Sequence, residues 1–277
     1  MLYYRKMGSG PPLILVHGLL GSCATMGMLA RGLARKFEVL VVDLRNHGSS
    51  FHAATMTYKE MAQDLVRFMD EHKLVSACAA GHSMGGKCAM QLAMDFPERV
   101  DRLAVLDMAP KAYEALWKPY IRAMLDLDLS QITRRDQAGQ LLESTIPERD
   151  LRTFFLQNLR TSGSKTFFWR SNLAAILASQ DDICARISGS PYTKQTLFIR
   201  GGDSDFILDT DWDEITALFP AARLKTIAGA GHLVHMEHRD LVTELLAAFF
   251  QATPRPFTNS HALPGTTNNK SIQPSGC

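Results

Sequence analysis

A serine between small residues, in Gly81-His82-Ser83-Met84-Gly85-Gly86, is the position in this chain best suited to covalent chemistry. The Gly81-x-Ser83-x-Gly85 spacing fits a nucleophile at the tip of a tight strand-to-helix turn, where flanking side chains would collide with neighbouring elements. Such a turn lifts the hydroxyl above the carboxyl edge of a sheet and aims a helix N-terminus at it. A hydroxyl attacks an acyl carbon only when a base removes its proton. Of nine histidines, His232 follows Gly229-Ala230-Gly231, a loop of small residues after the last expected strand, from which an imidazole could swing toward Ser83. His235 and His238 fall in or near the start of the final helix, and His17 and His47 in earlier loops that suit structural roles. The base needs an anion to orient it and stabilise its protonated form. Asp107 and Asp205 end expected strands, and Asp203 lies nearby. Position alone slightly favours Asp205, although Gly-Gly-Asp-Ser-Asp also reads as an exposed acidic turn. The backbone N–H groups of Leu19, after His17-Gly18, and of Met84, next to the serine, are the candidates for an oxyanion hole.

These residues need a scaffold, and the apolar pattern supplies one. Leu13–Val16, Val39–Val42, Ala77–Ala80, Leu103–Leu106 and Thr196–Arg200 are short apolar runs that predict buried strands, with a last strand near Arg223–Ile227. Met61, Leu65, Phe68 and Met69 recur at helical spacing and predict a helix over Tyr58–Lys73. Residues 86–96 and Asp240–Gln251 predict two more. Strands alternating with helices imply a mostly parallel sheet covered on both faces, an α/β fold. The alternation stops near residue 110. Residues 111–190 carry helical patterns without a convincing buried strand, so 1–110 and 191–252 form the expected core and 111–190 a helical insertion. Residues 253–277 lack an apolar period and read as a disordered tail.

Composition removes several classes. Thirty basic against 28 acidic residues leave a charge of +2, too balanced for a nucleic-acid footprint. Five cysteines without a C-x-x-C spacing argue against a disulfide scaffold or thiolate zinc site, and favour a reducing, cytoplasmic setting. No apolar run approaches the ~20 residues of a membrane span. Arg5-Lys6, Leu13–Leu20 and Cys23 imitate a lipoprotein signal, but Pro11-Pro12 and His17-Gly18 interrupt its apolar centre. No histidine pair has the H-E-x-x-H spacing, and neither metal nor cofactor is expected.

Taken together, His17-Gly18-Leu19-Leu20-Gly21-Ser22, Asp43-Leu44-Arg45-Asn46-His47-Gly48-Ser49-Ser50, Gly81–Gly86 and Gly229–His232 resemble the α/β-hydrolase superfamily across residues 2–251. The Arg-Asn-His-Gly variant and Gly-His-Ser-Met-Gly-Gly-Lys are similar to a branch of small bacterial esterases and thioesterases with mitochondrial members. In that branch the acid follows the strand after the elbow helix, in a segment like Leu106-Asp107-Met108-Ala109-Pro110. The resemblance therefore implies Asp107 as the orienting acid, with Asp205 the alternative. It also implies that Asn46, where the wider superfamily carries glycine, is structural.

The insertion would then be a substrate cap. Leu151, Phe154, Phe155 and Leu159 share a helical face, followed by Phe167-Phe168-Trp169, with Trp117 and Tyr120 upstream. Packing onto the core accounts for most of this aromatic surface, and the functional reading places Phe154 and Trp169 in an acyl pocket above Ser83. Arg122, Arg152, Arg160, Lys165 and Arg170 permit a coenzyme A phosphate, but the segment's charges nearly balance and do not indicate one. The expected activity is hydrolysis of a small-molecule carboxylic ester or acyl thioester through an acyl-enzyme on Ser83. Carbon–carbon bond hydrolysis, cofactor-free perhydrolysis and a non-catalytic ligand receptor are the alternatives on the same scaffold. Oligomeric state is not fixed by the sequence.

Overall fold

The computed structural model describes residues 1–163 and 166–251, so the expected tail at 253–277 and Lys165 lie outside the described residues. Its centre is a seven-stranded sheet. In chain order the strands are β1 (Tyr4–Met7), β2 (Pro12–Val16), β3 (Glu38–Val42), β4 (Ala77–His82) and β5 (Val100–Leu106). A short hairpin follows, β6 (Leu159–Thr161) and β7 (Phe167–Trp169), and then β8 (Thr196–Gly201) and β9 (Ala222–Ile227) return to the sheet. The sheet order is β1-β3-β2-β4-β5-β8-β9, parallel throughout except that β1 runs antiparallel to β3 at one edge.

Both faces of the sheet are apolar, which is why the strands read as unbroken runs rather than alternating ones. On one face Leu13, Leu15, Val39 and Val41 pack under α1 (Gly27–Leu33) and α11 (Arg239–Gln251), whose Leu29, Leu33, Val242 and Leu246 are buried. On the other, Ile14, Val16, Leu40 and Val42 meet α2 (Tyr58–Glu71) and α3 (Met84–Asp95) through Met61, Leu65, Cys88 and Leu92. Thr57 caps α2 by accepting the Glu60 N–H, and Glu60 accepts the Thr57 N–H in return.

Between β5 and β8 the chain forms α4 (Lys118–Leu125), α5 (Arg135–Leu141), α6 (Arg149–Leu156), α7 (Leu173–Ala178) and α8 (Gln180–Cys184) around the β6–β7 hairpin. Ile121, Met124, Phe155 and Ile176 continue the apolar cluster of the α2–α3 layer. The sequence pattern expects no strand here. In the structure α6 stops at Leu156, so Leu159 leaves the helical face of Leu151, Phe154 and Phe155 and enters β6, where it is buried beside Ile132 and Ala138. After β8 come α9 (Trp212–Leu218), β9 and the four-residue α10 (Val234–Glu237). Among the described residues no helix is long and apolar enough to cross a membrane.

The parallel strands all end on the same edge, and the chemistry-bearing residues collect there. Ser83 follows β4 directly, Asp107 follows β5, and His232 lies five residues beyond β9.

Candidate active site

Ser83 has φ 53° and ψ −123°, a conformation that L-residues avoid. The turn is held by hydrogen bonds on both sides. Its N–H donates to Leu106 O at 3.1 Å, and its carbonyl accepts the N–H groups of Gly86 at 2.8 Å and Lys87 at 3.1 Å. The glycines are sterically required. A Cβ on Gly81 would overlap the carbonyl of Gly85, and one on Gly85 would come within 2.5 Å of Val16 O. As the first residue of α3, Met84 has an N–H without an intrahelical acceptor.

Asp107, also at positive φ (51°), has no exposed surface. Its carboxylate is satisfied by protein donors alone. Oδ1 accepts the Gly201 N–H at 2.9 Å, and Oδ2 accepts both the Ser204 hydroxyl and the Nδ1–H of His232, the latter at 2.8 Å. Asp205 is exposed in the turn after β8, and Asp203 likewise. The structure therefore brings Asp107 onto His232 and leaves Asp205 at the surface. With Nδ1 donating to the carboxylate, Nε2 of His232 is the basic nitrogen. Phe206 stacks on the imidazole at 3.6 Å between ring centroids and 15° between planes.

Other histidines hold this arrangement in place. His82 Nε2–H donates to the carbonyl of His232 at 2.9 Å, and its ring lies 4.3 Å from that of His235. His17 Nδ1–H donates to Gly18 O at 2.7 Å while its Nε2 accepts the Leu44 N–H at 3.1 Å. His47 does the same one loop away, donating to Arg45 O and accepting the Leu20 N–H at 3.0 Å. His17 and His47 each need one bare nitrogen for the acceptor role, so both must stay neutral, and burial drives all four rings the same way. Desolvation lowers His17, lowers His82 well below its usual range, and brings His47 to about 3 and His235 to about 4. The sequence placed His17 and His47 in structural roles; it gave no sign of His82, whose role depends on a carbonyl 150 residues away.

The Arg45-Asn46-His47 stretch is likewise architectural. Arg45 pairs with buried Asp64 at 2.6 Å, and Asn46, at φ 63°, accepts the Ala53 N–H at 2.8 Å through its side chain. Positive φ explains why glycine or asparagine suits that position.

Ser83, Met84, Leu19 and His232 line one cavity with Tyr58, Met108 and Phe206. The β5–β8 segment contributes Tyr113, Glu114, Leu116, Trp117, Gln180, Ile183 and Cys184, and Lys87 of α3 also borders the cavity. Phe154 and Trp169, expected at the pocket, are not among its lining residues. Phe154 packs edge-on behind Trp117 at 6.3 Å, and Trp169 is tied down by its indole N–H to Met124 O at 2.9 Å. The aromatic wall is Trp117 instead. Of the basic residues that could meet a phosphate, Arg152 is taken by Glu143 and two carbonyls, and Arg170 by Ser49 and Asp43.

The chain belongs to the alpha/beta hydrolase fold family, whose model matches residues 11–239. Among its relatives are the sn-1-specific diacylglycerol lipase ABHD11 of Xenopus tropicalis, 38% identical over 243 residues (84% of this chain, 76% of that one). Esterase YbfF of Escherichia coli is 35% identical over 246 residues, covering 88% of this chain and 95% of the other. Of the solved structures, a marine microorganism esterase superposes with a TM-score of 0.87 at 36% identity, spanning 90% of this chain and 98% of its own.

The neutral histidines predict a pH response. Their folded-state pKa values lie below the unfolded value of ~6.5, so their stabilisation is complete above pH 6.5 and is lost as pH falls toward 4 and 3. Each contributes a slope of up to ~1.4 kcal/mol per pH unit in that window. Glu60, held at about 2, weakens the fold only below its ordinary value of 4.5. Urea unfolding midpoints should therefore drop steadily between pH 6.5 and 5, before carboxylates contribute. Midpoints unchanged across that interval would contradict the neutral-histidine description.

Proposed function

We propose that the protein is a serine hydrolase of carboxylic esters with Ser83 as nucleophile, His232 as base and Asp107 as orienting acid. The observation that carries this is the 2.8 Å bond from His232 Nδ1–H to a buried carboxylate, with Ser83 and His232 facing the same cavity. The similarity to proteins named esterase and diacylglycerol lipase supports the ester class.

In this reading Ser83 Oγ attacks the ester carbonyl carbon while His232 Nε2 takes its proton. The developing oxyanion sits between the N–H groups of Leu19 and Met84, each such donor being worth ~3 kcal/mol in the transition state. Protonated His232 gives its proton to the departing alcohol, leaving the acid esterified to Ser83. Water then enters and attacks the acyl carbon, losing a proton to the same nitrogen, and His232 returns that proton to Ser83 Oγ as the acid is released. An imidazolium forms twice in the cycle, and the Asp107 carboxylate lowers its energy each time. The segment 111–190 acts as the cap, with Trp117 walling a largely apolar acyl pocket. That lining suits a neutral acyl ester; thioesters undergo the same chemistry and fit the same pocket. Among the described residues Cys23, Cys78, Cys88 and Cys184 are unpaired thiols, which suits a reducing compartment such as the cytoplasm.

Ser83→Ala should lower p-nitrophenyl ester turnover by ~10³-fold or more, and Asp107→Asn by up to ~10⁴-fold through the wrong imidazole tautomer. Asp205→Asn should leave the rate close to wild type. A severe loss confined to Asp205→Asn, or a tenth of the rate surviving in Ser83→Ala, would contradict the assignment.

The acyl pocket is tested separately. Trp117→Ala should move the preferred p-nitrophenyl acyl group to longer chains, whereas Phe154→Ala and Trp169→Ala should not. A shift confined to the latter two would return the pocket to where the sequence reading put it.

A further inference from the structure

Lys87 lies one turn along α3 from Ser83, and its side chain has no exposed surface. No carboxylate pairs with it among the described residues. Burying an ammonium without a counter-ion costs free energy that a methionine of similar length would not, so the bonds it makes are the place to look for its use. Nζ donates to two backbone carbonyls, Lys111 O at 2.6 Å and Ala185 O at 2.7 Å, and lies 4.7 Å from the ring centroid of Tyr113.

Those carbonyls are 74 positions apart in the chain but mark one place in the fold. Lys111 is where the chain leaves the core after β5, and Ala185 is where it comes back after α8. The outgoing and returning strands of this neck are bonded to each other, Tyr113 N–H to Cys184 O at 2.8 Å and Ile187 N–H to Pro110 O at 3.0 Å. Two further core side chains grip the returning strand alone. Tyr58 on α2 donates its hydroxyl to Ile183 O at 2.6 Å, and Gln91, one turn beyond Lys87, donates to Ser188 O at 3.2 Å. Lys87 holds both sides. Tyr113 carries the neck's position onward, because its hydroxyl donates to the carbonyl of Phe206, the ring stacked on His232.

We propose that Lys87 is a positioning residue that clamps both ends of the 111–185 segment to the helix beginning at Ser83, and so sets how that segment is seated over the cavity. A charged donor shared by two carbonyls is stronger than a neutral one, and it is the only donor of these three to reach the outgoing side. The consequence for catalysis rests on the cavity being the ester site, but the clamp itself does not.

Hydrogen exchange at pH 7 without substrate separates the two. Lys87→Met should raise exchange in peptides covering 109–116 and 182–189 by about tenfold, with β4 and β5 unchanged. Gln91→Leu and Tyr58→Phe should raise it in 182–189 only, because the bonds these side chains make go to the returning strand. In kinetics Lys87→Met should raise KM for a long-chain ester more than it lowers kcat. Exchange in both neck peptides within about twofold of wild type, or an increase shared equally with β4 and β5, would overturn the proposal. Should Lys87→Met fail to fold, the other two variants decide: exchange in 182–189 unchanged in both, or rising equally in 109–116, overturns it. Loss of ester hydrolysis in every variant and in wild type alike would count against the enzyme reading and leave the clamp standing.

Discussion

A carboxylate with no exposed surface must find its hydrogen-bond donors within the protein, and Asp107 does so by drawing three stretches of chain to one point. The Gly201 N–H comes from the end of β8, the Ser204 hydroxyl from the turn after it, and the His232 Nδ1–H from the loop after β9. An unpaired buried charge is among the costliest defects a fold can carry. The same donors that remove that cost also fix the imidazole ring and its tautomer. Stability and the geometry proposed for catalysis therefore rest on one group, which leaves little freedom to alter either alone.

The elbow works by a similar economy of space. Ser83 occupies a strained conformation because β4 must turn into α3 at once, and Gly81 and Gly85 allow the backbone to pass where no Cβ fits. Around it, buried imidazoles serve as two-ended connectors, one nitrogen donating and the other accepting, which only the neutral ring can do. Their burial keeps them neutral well below physiological pH. His232 differs because it is half-buried and bonded to a carboxylate.

What could be read from the sequence was local. Strands buried on both faces leave short apolar runs, and the glycines around Ser83 and before His232 mark backbone that must turn tightly, so the sheet and both residues were legible. Which aspartate meets His232 was not legible from spacing, because β5 and β8 are neighbours and carry an aspartate at or beyond the same edge. What decides it is that β8 ends at Gly201 and the turn then presents Ser204 inward and Asp205 to solvent, a matter of side-chain direction that composition does not encode. The family-like Leu-Asp-Met-Ala-Pro segment pointed to the residue found at His232. The β6–β7 hairpin escaped notice because three-residue strands have no measurable period. The pocket aromatics were misplaced for a related reason. Phe154 and Trp169 pack against their own segment, whereas Trp117 stands where the chain has just left the core. Lys87 could not have been singled out, since its meaning lies in two carbonyls far away in the chain.

The central claim is that Ser83 is made nucleophilic by the His232–Asp107 pair. The most direct measurement is covalent capture with an alkyl fluorophosphonate, followed by intact mass and tryptic mapping. The account predicts a single adduct, one per chain, on the peptide Leu74–Lys87 and at Ser83 within it. Its rate of formation should collapse when Asp107 is changed to asparagine. An adduct on any other serine, or an unlabelled Ser83 in a folded protein, would contradict it.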